Sequence, residues 1–106
     1  MPPEEAARRV HAMARPRLTQ DTVVDASKIL TLVERCRNDG YATNDGELEI
    51  GVRSMAVPVS DRDGHFVGAM SIAVRAERMT MGEFREAFLP ALQRARTTLA
   101  SRLFAQ

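Results

Sequence analysis

From Tyr41 to Val74 the chain alternates with period two, and the stretch "ELEIGVRSMAVPVSDRDGHFVGAMSIAV" (47–74) sets two such runs on either side of "DRDG" at 61–64. Alternation sends successive side chains to opposite faces of a sheet, and Asp and Gly suit a tight connection between antiparallel strands. This predicts a β-hairpin. With Asp61 to Gly64 as the loop, Ser60 faces His65, and the register runs back through Ala56 opposite Ala69, Ser54 opposite Ser71 and Val52 opposite Ala73. The other side pairs Met55 with Met70, Val57 with Gly68 and Val59 with Phe66. That second side is bulky and belongs against helices. The first is small, where a face built only to anchor a helix would carry Val, Ile or Leu. Two readings stay open at this point. Small residues let a helix or second sheet approach closely, or they floor a concave site that offers a ligand the hydroxyls of Ser54 and Ser71.

Helical signals flank the hairpin. "PPEEAARRVHAMA" places Pro and two carboxylates before good helix formers and predicts a short helix from about Pro3 to Met13. "RPRLTQDTVV" breaks it. Asp25 caps a second helix whose residues Ile29, Leu32, Val33 and Cys36 share one face and which ends at Gly40. Cys36 on that stripe reads as a small buried hydrophobe rather than a reactive thiol. Thr80 and Glu83 form a capping box opening a C-terminal helix with an apolar stripe of Phe84, Phe88, Leu92, Leu99 and Leu103. Pro90 predicts a kink in it, or a break near Phe88.

At 106 residues the chain holds one small domain, with no repeat and no second domain. Fifteen basic residues against fourteen acidic ones leave a formal charge of +1, with the signs interspersed, so nothing asks for nucleic acid or an anionic membrane. One cysteine excludes an intrachain disulfide and fits a reducing, cytoplasmic setting; no secretory leader and no membrane-spanning stretch is evident. His65 with Asp61 and Asp63 reads as a polar turn and not a metal centre, "DRDG" lacks the remaining ligand positions of a calcium loop, and no catalytic pair is evident. Catalytic residues, metals and cofactors are expected to be none.

The pattern "GYA…D…E…GVRS.AVPV.D..G..V.A.S.." within residues 37–74 resembles the effector-binding domain of IclR-family bacterial transcription regulators. "PPEEAARRV" is similar to the segment that follows that domain's first strands, and "RMT" leads into its expected last helix. Ser54 in "LEIGVRS", where other members carry Cys, is most similar to the branch that regulates protocatechuate, 4-hydroxybenzoate and related aromatic-acid catabolism. The resemblance implies an α+β, GAF-like fold, an antiparallel sheet with helices packed against it. It implies effector contacts at Asn44, Val52, Ser54, Ser71 and Ala73. Asn44 replaces a frequent Asp and Ala73 a frequent Ser, changes that ease the approach of an anion and add apolar room for an aromatic acid.

On that resemblance, residues 1–106 are the C-terminal portion of the effector-binding domain, with a winged helix-turn-helix and the first strands expected before Met1. The expected partners are a small organic acid and further copies of the chain, as a dimer or tetramer, with DNA reached only through the winged helix. The competing reading is a structural oligomerisation module without ligand, which exposed apolar patches would also suit.

Overall fold

The computed structural model describes residues 1–104. Helix α1 (Pro3–Ala12) opens with Pro at its first turn, Glu4 and Glu5 near the positive end of its dipole, and an Arg9–Glu5 ion pair at 2.7 Å one turn on. It packs through Ala6 and Val10 against α2 (Ala26–Asp39). Helix α2 begins at Asp25, whose carboxylate accepts the Ser27 N–H, and ends at Gly40 in the left-handed conformation. Both ends fall where the sequence places them. The expected burial of the α2 stripe does not follow. Ala26 is its one buried residue among those described; Ile29, Val33 and Cys36 are half-buried and Leu32 is exposed, Val33 and Cys36 facing an open groove and not a packed layer.

Strands β1 (Ala42–Asp45), β2 (Val52–Ser60) and β3 (Phe66–Arg75) form an antiparallel sheet in that order. The long period-two region thus contains a third strand, set off by the turn at 46–51. Pro58 sits in the central strand without losing a ladder bond to β1, since β1 pairs with β2 only from Arg53 to Ala56 and Pro58 lies beyond its end.

The hairpin register is corrected by the structure. Ser54 faces Ala73 and not Ser71; Ser71 faces Ala56, Ala69 faces Pro58, and Val52 faces Arg75. Met55 faces Ile72, Val57 faces Met70 and Val59 faces Gly68, while Ser60 faces Phe66 and not His65. The cause is a bulge between Val59 and Ser60 together with a wider turn, closed by the Asp61 N–H donating to the His65 carbonyl at 2.8 Å. The shift for the main run is two residues, so the side chains from Gly68 to Val74 keep their expected faces, while the bulge moves Phe66 from the bulky side to the small one, opposite Ser60.

Helix α3 (Met81–Leu103) starts with the predicted capping box: Glu83 N–H to Thr80 Oγ1 at 3.1 Å and Thr80 N–H to Glu83 Oε1 at 2.9 Å. It runs through Pro90 as one helix, so the expected break near Phe88 does not occur. Phe84 and Leu92 are buried on the bulky sheet face against Met55 and Val57, with Phe88, Met70 and Ile72 at the margin. Leu103 ends the stripe 58% exposed. The molecule is 19 Å through its thinnest direction, the depth of a sheet and one helix layer.

Candidate functional site

The face opposite α3 carries the small residues. Because β1 and β3 both pair with β2, Asn44, Ser54 and Ala73 stand opposite one another in a single row across all three strands. Ala42, Ala56 and Ser71 form the next row, and Val52 lies one pair beyond the first row, toward Arg75. All five residues expected to contact an effector therefore share one face. Ser71 and Ala73 are exposed, and Asn44, Val52 and Ser54 are half-buried. Nothing in the described residues packs over Ser71 or Ala73.

One end of the row is built by a clamp. Asn44 Oδ1 accepts the Glu47 N–H at 3.2 Å, which folds the turn after β1 back beside the row. Thr19 Oγ1 donates to the Gly46 carbonyl and Thr22 Oγ1 to the Glu47 carbonyl, while Glu47 Oε1 accepts the Val23 N–H at 3.2 Å. Gly46 is the residue this close approach needs: its φ is +73° and a Cβ would meet Asp21 Oδ2 at 3.1 Å. On the α3 side, Arg53 ties the same corner together through Asp45 at 3.1 Å and the carbonyls of Ala76 and Met79.

At the other end of the face, the C-terminal half of α2 overhangs the sheet. There an open, mainly apolar groove of about 450 Å³ is lined by Val33, Cys36, Ala42, Ala56, Pro58 and Phe66. That volume is in the range of small-molecule sites. The bulge helps to make it, by bringing Phe66 level with Ser60. None of the five expected contact residues lines this groove; Ala42 and Ala56 connect it to their row. The sequence reading put Ala56 on the small face without naming it as a contact, and did not single out Ala42, although alternation puts it in phase with Asn44. Thr19 and Thr22 gave no signal, being far from Gly46 and Glu47 in the chain.

The hairpin turn brings Asp61, Asp63 and His65 ligand atoms within 4.8 Å of one another. Asp61 Oδ1 already accepts the N–H groups of Asp63 and His65, both at 2.9 Å. The His65 backbone bond, with that from Asp63 and the adjacent imidazole, holds the Asp61 carboxyl below its ordinary range. These bonds close the hairpin turn.

Fold and face together define an α+β domain whose distinguishing surface is a small-residue floor with sparse polar groups. The model of the family "Bacterial transcriptional regulator IclR C-terminal" matches residues 1–100, and the chain belongs to that family, one of regulators and not of enzymes. It is 34% identical over 86 residues to the Pca regulon regulatory protein of Pseudomonas putida, a match covering 81% of this chain and 30% of that protein. The crystal structure of RHA06195 from Rhodococcus sp. RHA1 matches with a TM-score of 0.91 at 28% identity, over 97% of this chain and 41% of that one. The PobR inducer-binding domain from Acinetobacter, a double mutant in complex with 3-hydroxybenzoic acid, shares the fold with a TM-score of 0.88 at 24% identity, over 94% of this chain and 57% of that one. The chain thus spans less than a third of the Pca regulator's length, and its similarity to that protein sides with the aromatic-acid branch of the family. No helix among the described residues is long and apolar enough to cross a membrane.

Proposed function

We propose that this domain senses a small aromatic acid for a one-component bacterial transcription regulator working in the cytoplasm, and that the acid alters how copies of the chain are arranged. DNA is then reached through a winged helix-turn-helix outside this chain, residues 1–106 being the C-terminal portion of the effector-binding domain. The observation that carries the reading is the row Asn44–Ser54–Ala73, drawn from three strands and left open on a face with room above it. A ring lying on Ala56 and Ala73 is matched by small side chains, and Ser54, Ser71 and the amide of Asn44 supply donors to a carboxylate or ring hydroxyl. No acidic side chain stands in the row to repel an anion. Val52 closes the floor at the Arg75 end. The relative that governs a Pca regulon and the PobR domain holding a hydroxybenzoic acid support an aromatic ligand over a two- or three-carbon oxoacid.

Calorimetry with protocatechuate and 4-hydroxybenzoate against glyoxylate and pyruvate tests this. The aromatic acids are expected to bind more tightly, a ring adding apolar area worth about 25 cal/mol per Å² on burial. Tighter binding of the oxoacids overturns the aromatic assignment. Absence of binding by either set, with the fold intact, favours a structural module instead.

A further inference from the structure

We infer that Thr22, acting through the Glu47 peptide, is a positioning residue for the effector row: it fixes which end of the Asn44 side-chain amide faces the ligand, and with that the preference for an acid over its neutral analogue. This assignment rests on the effector reading of the row and deepens it. Asn44 accepts the Glu47 N–H at 3.2 Å, and of the two ends of its amide only the oxygen, Oδ1, can take that proton. The oxygen and nitrogen leave Cγ in different directions, so with Oδ1 committed to the turn the NH2 group is turned away from it. Asn44 shares its face with Ser54 and Ala73, which places that donor over the row. The turn alone gives no reason for a neutral amide at 44. An aspartate would accept the same N–H, and more strongly, since charged acceptors make the shorter and stronger bonds. What sets Asn apart is the second atom, a donor where Asp would carry charge.

The Glu47 peptide is itself held from outside β1. Its carbonyl accepts the Thr22 hydroxyl, and its side chain accepts the Val23 N–H at 3.2 Å. Thr22 Oγ1 already accepts the Thr19 N–H at 2.9 Å, so the hydroxyl's single proton is left for the Glu47 carbonyl. Two guanidinium groups anchor the segment that carries Thr22: Arg17 donates to the Thr22 carbonyl at 3.2 Å and Arg15 to the Val24 carbonyl at 3.0 Å. Every bond in this relay joins residues between 15 and 47, so it is complete within the described fold. With the peptide fixed in this way, reversing the Asn44 amide would set donor against donor and leave the Glu47 N–H without its partner, a costly change at a half-buried group. The amide is thus a one-way donor toward the floor.

Calorimetry with 4-hydroxybenzoate and its neutral analogue 4-hydroxybenzamide tests this, the readout being the ratio of the two affinities, which a loss of stability alone does not move. The wild-type chain is expected to favour the acid by about tenfold, the scale of one hydrogen bond to a charged group. Asn44→Asp keeps the acceptor that the turn needs; it is expected to stay folded by circular dichroism and to reverse the preference. Thr22→Val, which keeps the shape and loses the hydroxyl, is expected to bring the ratio close to one, and Thr22→Ser to retain the wild-type value. A ratio unmoved by Asn44→Asp, unmoved by a folded Thr22→Val, or lost in Thr22→Ser overturns the inference and leaves the effector reading standing; should Thr22→Val fail to fold, the other two variants decide. Equal wild-type affinity for the two compounds likewise overturns the inference alone. A wild-type chain that binds neither compound removes the effector reading, and the inference with it.

Discussion

The two faces of the β-sheet are made by the same three strands and behave as opposites. On the α3 side, Met55 and Val57 are 1% exposed and Phe84 is fully buried, so each atom removed leaves a void. On the other side Ala69, Ser71 and Ala73 look out on open space. The difference teaches where the molecule keeps its stability and where it keeps room for chemistry: one alternating sequence serves both, because period two separates the two sets of side chains completely.

Four changes would break or sharpen that contrast. Phe84→Ala should cost about 3–5 kcal/mol in denaturant unfolding, since the ring is the largest fully buried group; a loss below 1 kcal/mol would mean the α3 face is not the core. Arg53→Ala should cost about 1.5–3 kcal/mol by removing charged bonds to Asp45 and to the carbonyls of Ala76 and Met79, and hydrogen exchange should quicken across 76–79. Thr80→Ala should cost about 1 kcal/mol, the worth of one helix cap. Ser54→Leu, on the small face, should shift stability by under about 1 kcal/mol, because the added volume enters open space, and yet should abolish effector binding measured by calorimetry. A strongly destabilised Ser54→Leu would place that face in the core and remove the basis of the contrast.

A pH effect follows from the caps. Bonds from the Thr80 backbone and hydroxyl hold Glu83's carboxyl below its ordinary value, as the His65 and Asp63 N–H groups do for Asp61. Lowered carboxyl values add stability that is complete above the ordinary range near pH 4 and is lost as pH falls through the lowered values. Glu83 is exposed and Asp61 lies half-buried in a surface turn, so acid titration below about pH 4 should weaken the fold only slightly through them. Thr80→Ala should blunt the Glu83 part.

The division of faces was legible in the sequence because parity survives a two-residue slip. Ser54 and Ser71 were placed on the correct side even though they were paired with each other wrongly. The error came from the turn: "DRDG" looks like a closed four-residue loop, while the Asp61 carboxylate gathers the N–H groups of Asp63 and His65 and draws His65 into the loop as well. Capping signals at Asp25, Gly40 and Thr80 were read correctly, being local. Burial of the α2 stripe was not, because periodicity reports which residues share a side of a helix and says nothing about whether another layer arrives to cover it. The Thr19 and Thr22 clamps depend on contacts across the fold, which no local pattern announces.

The bulge at Val59 and Ser60 has a consequence for how this chain can change over generations. Insertions and deletions in a strand normally scramble inside and outside along everything that follows, which makes strands poor places for length variation. Here Val67, the residue left unpaired between Phe66 and Gly68, already absorbs one step of that alternation, so removing it would leave Phe66 opposite Ser60 and Gly68 to Arg75 as they are. The hairpin tip beside the groove is therefore open to a single-residue length change at Val67 that leaves the Asn44–Ser54–Ala73 row undisturbed. Binding space at one end of the floor can diversify while polar recognition at the other end is held constant.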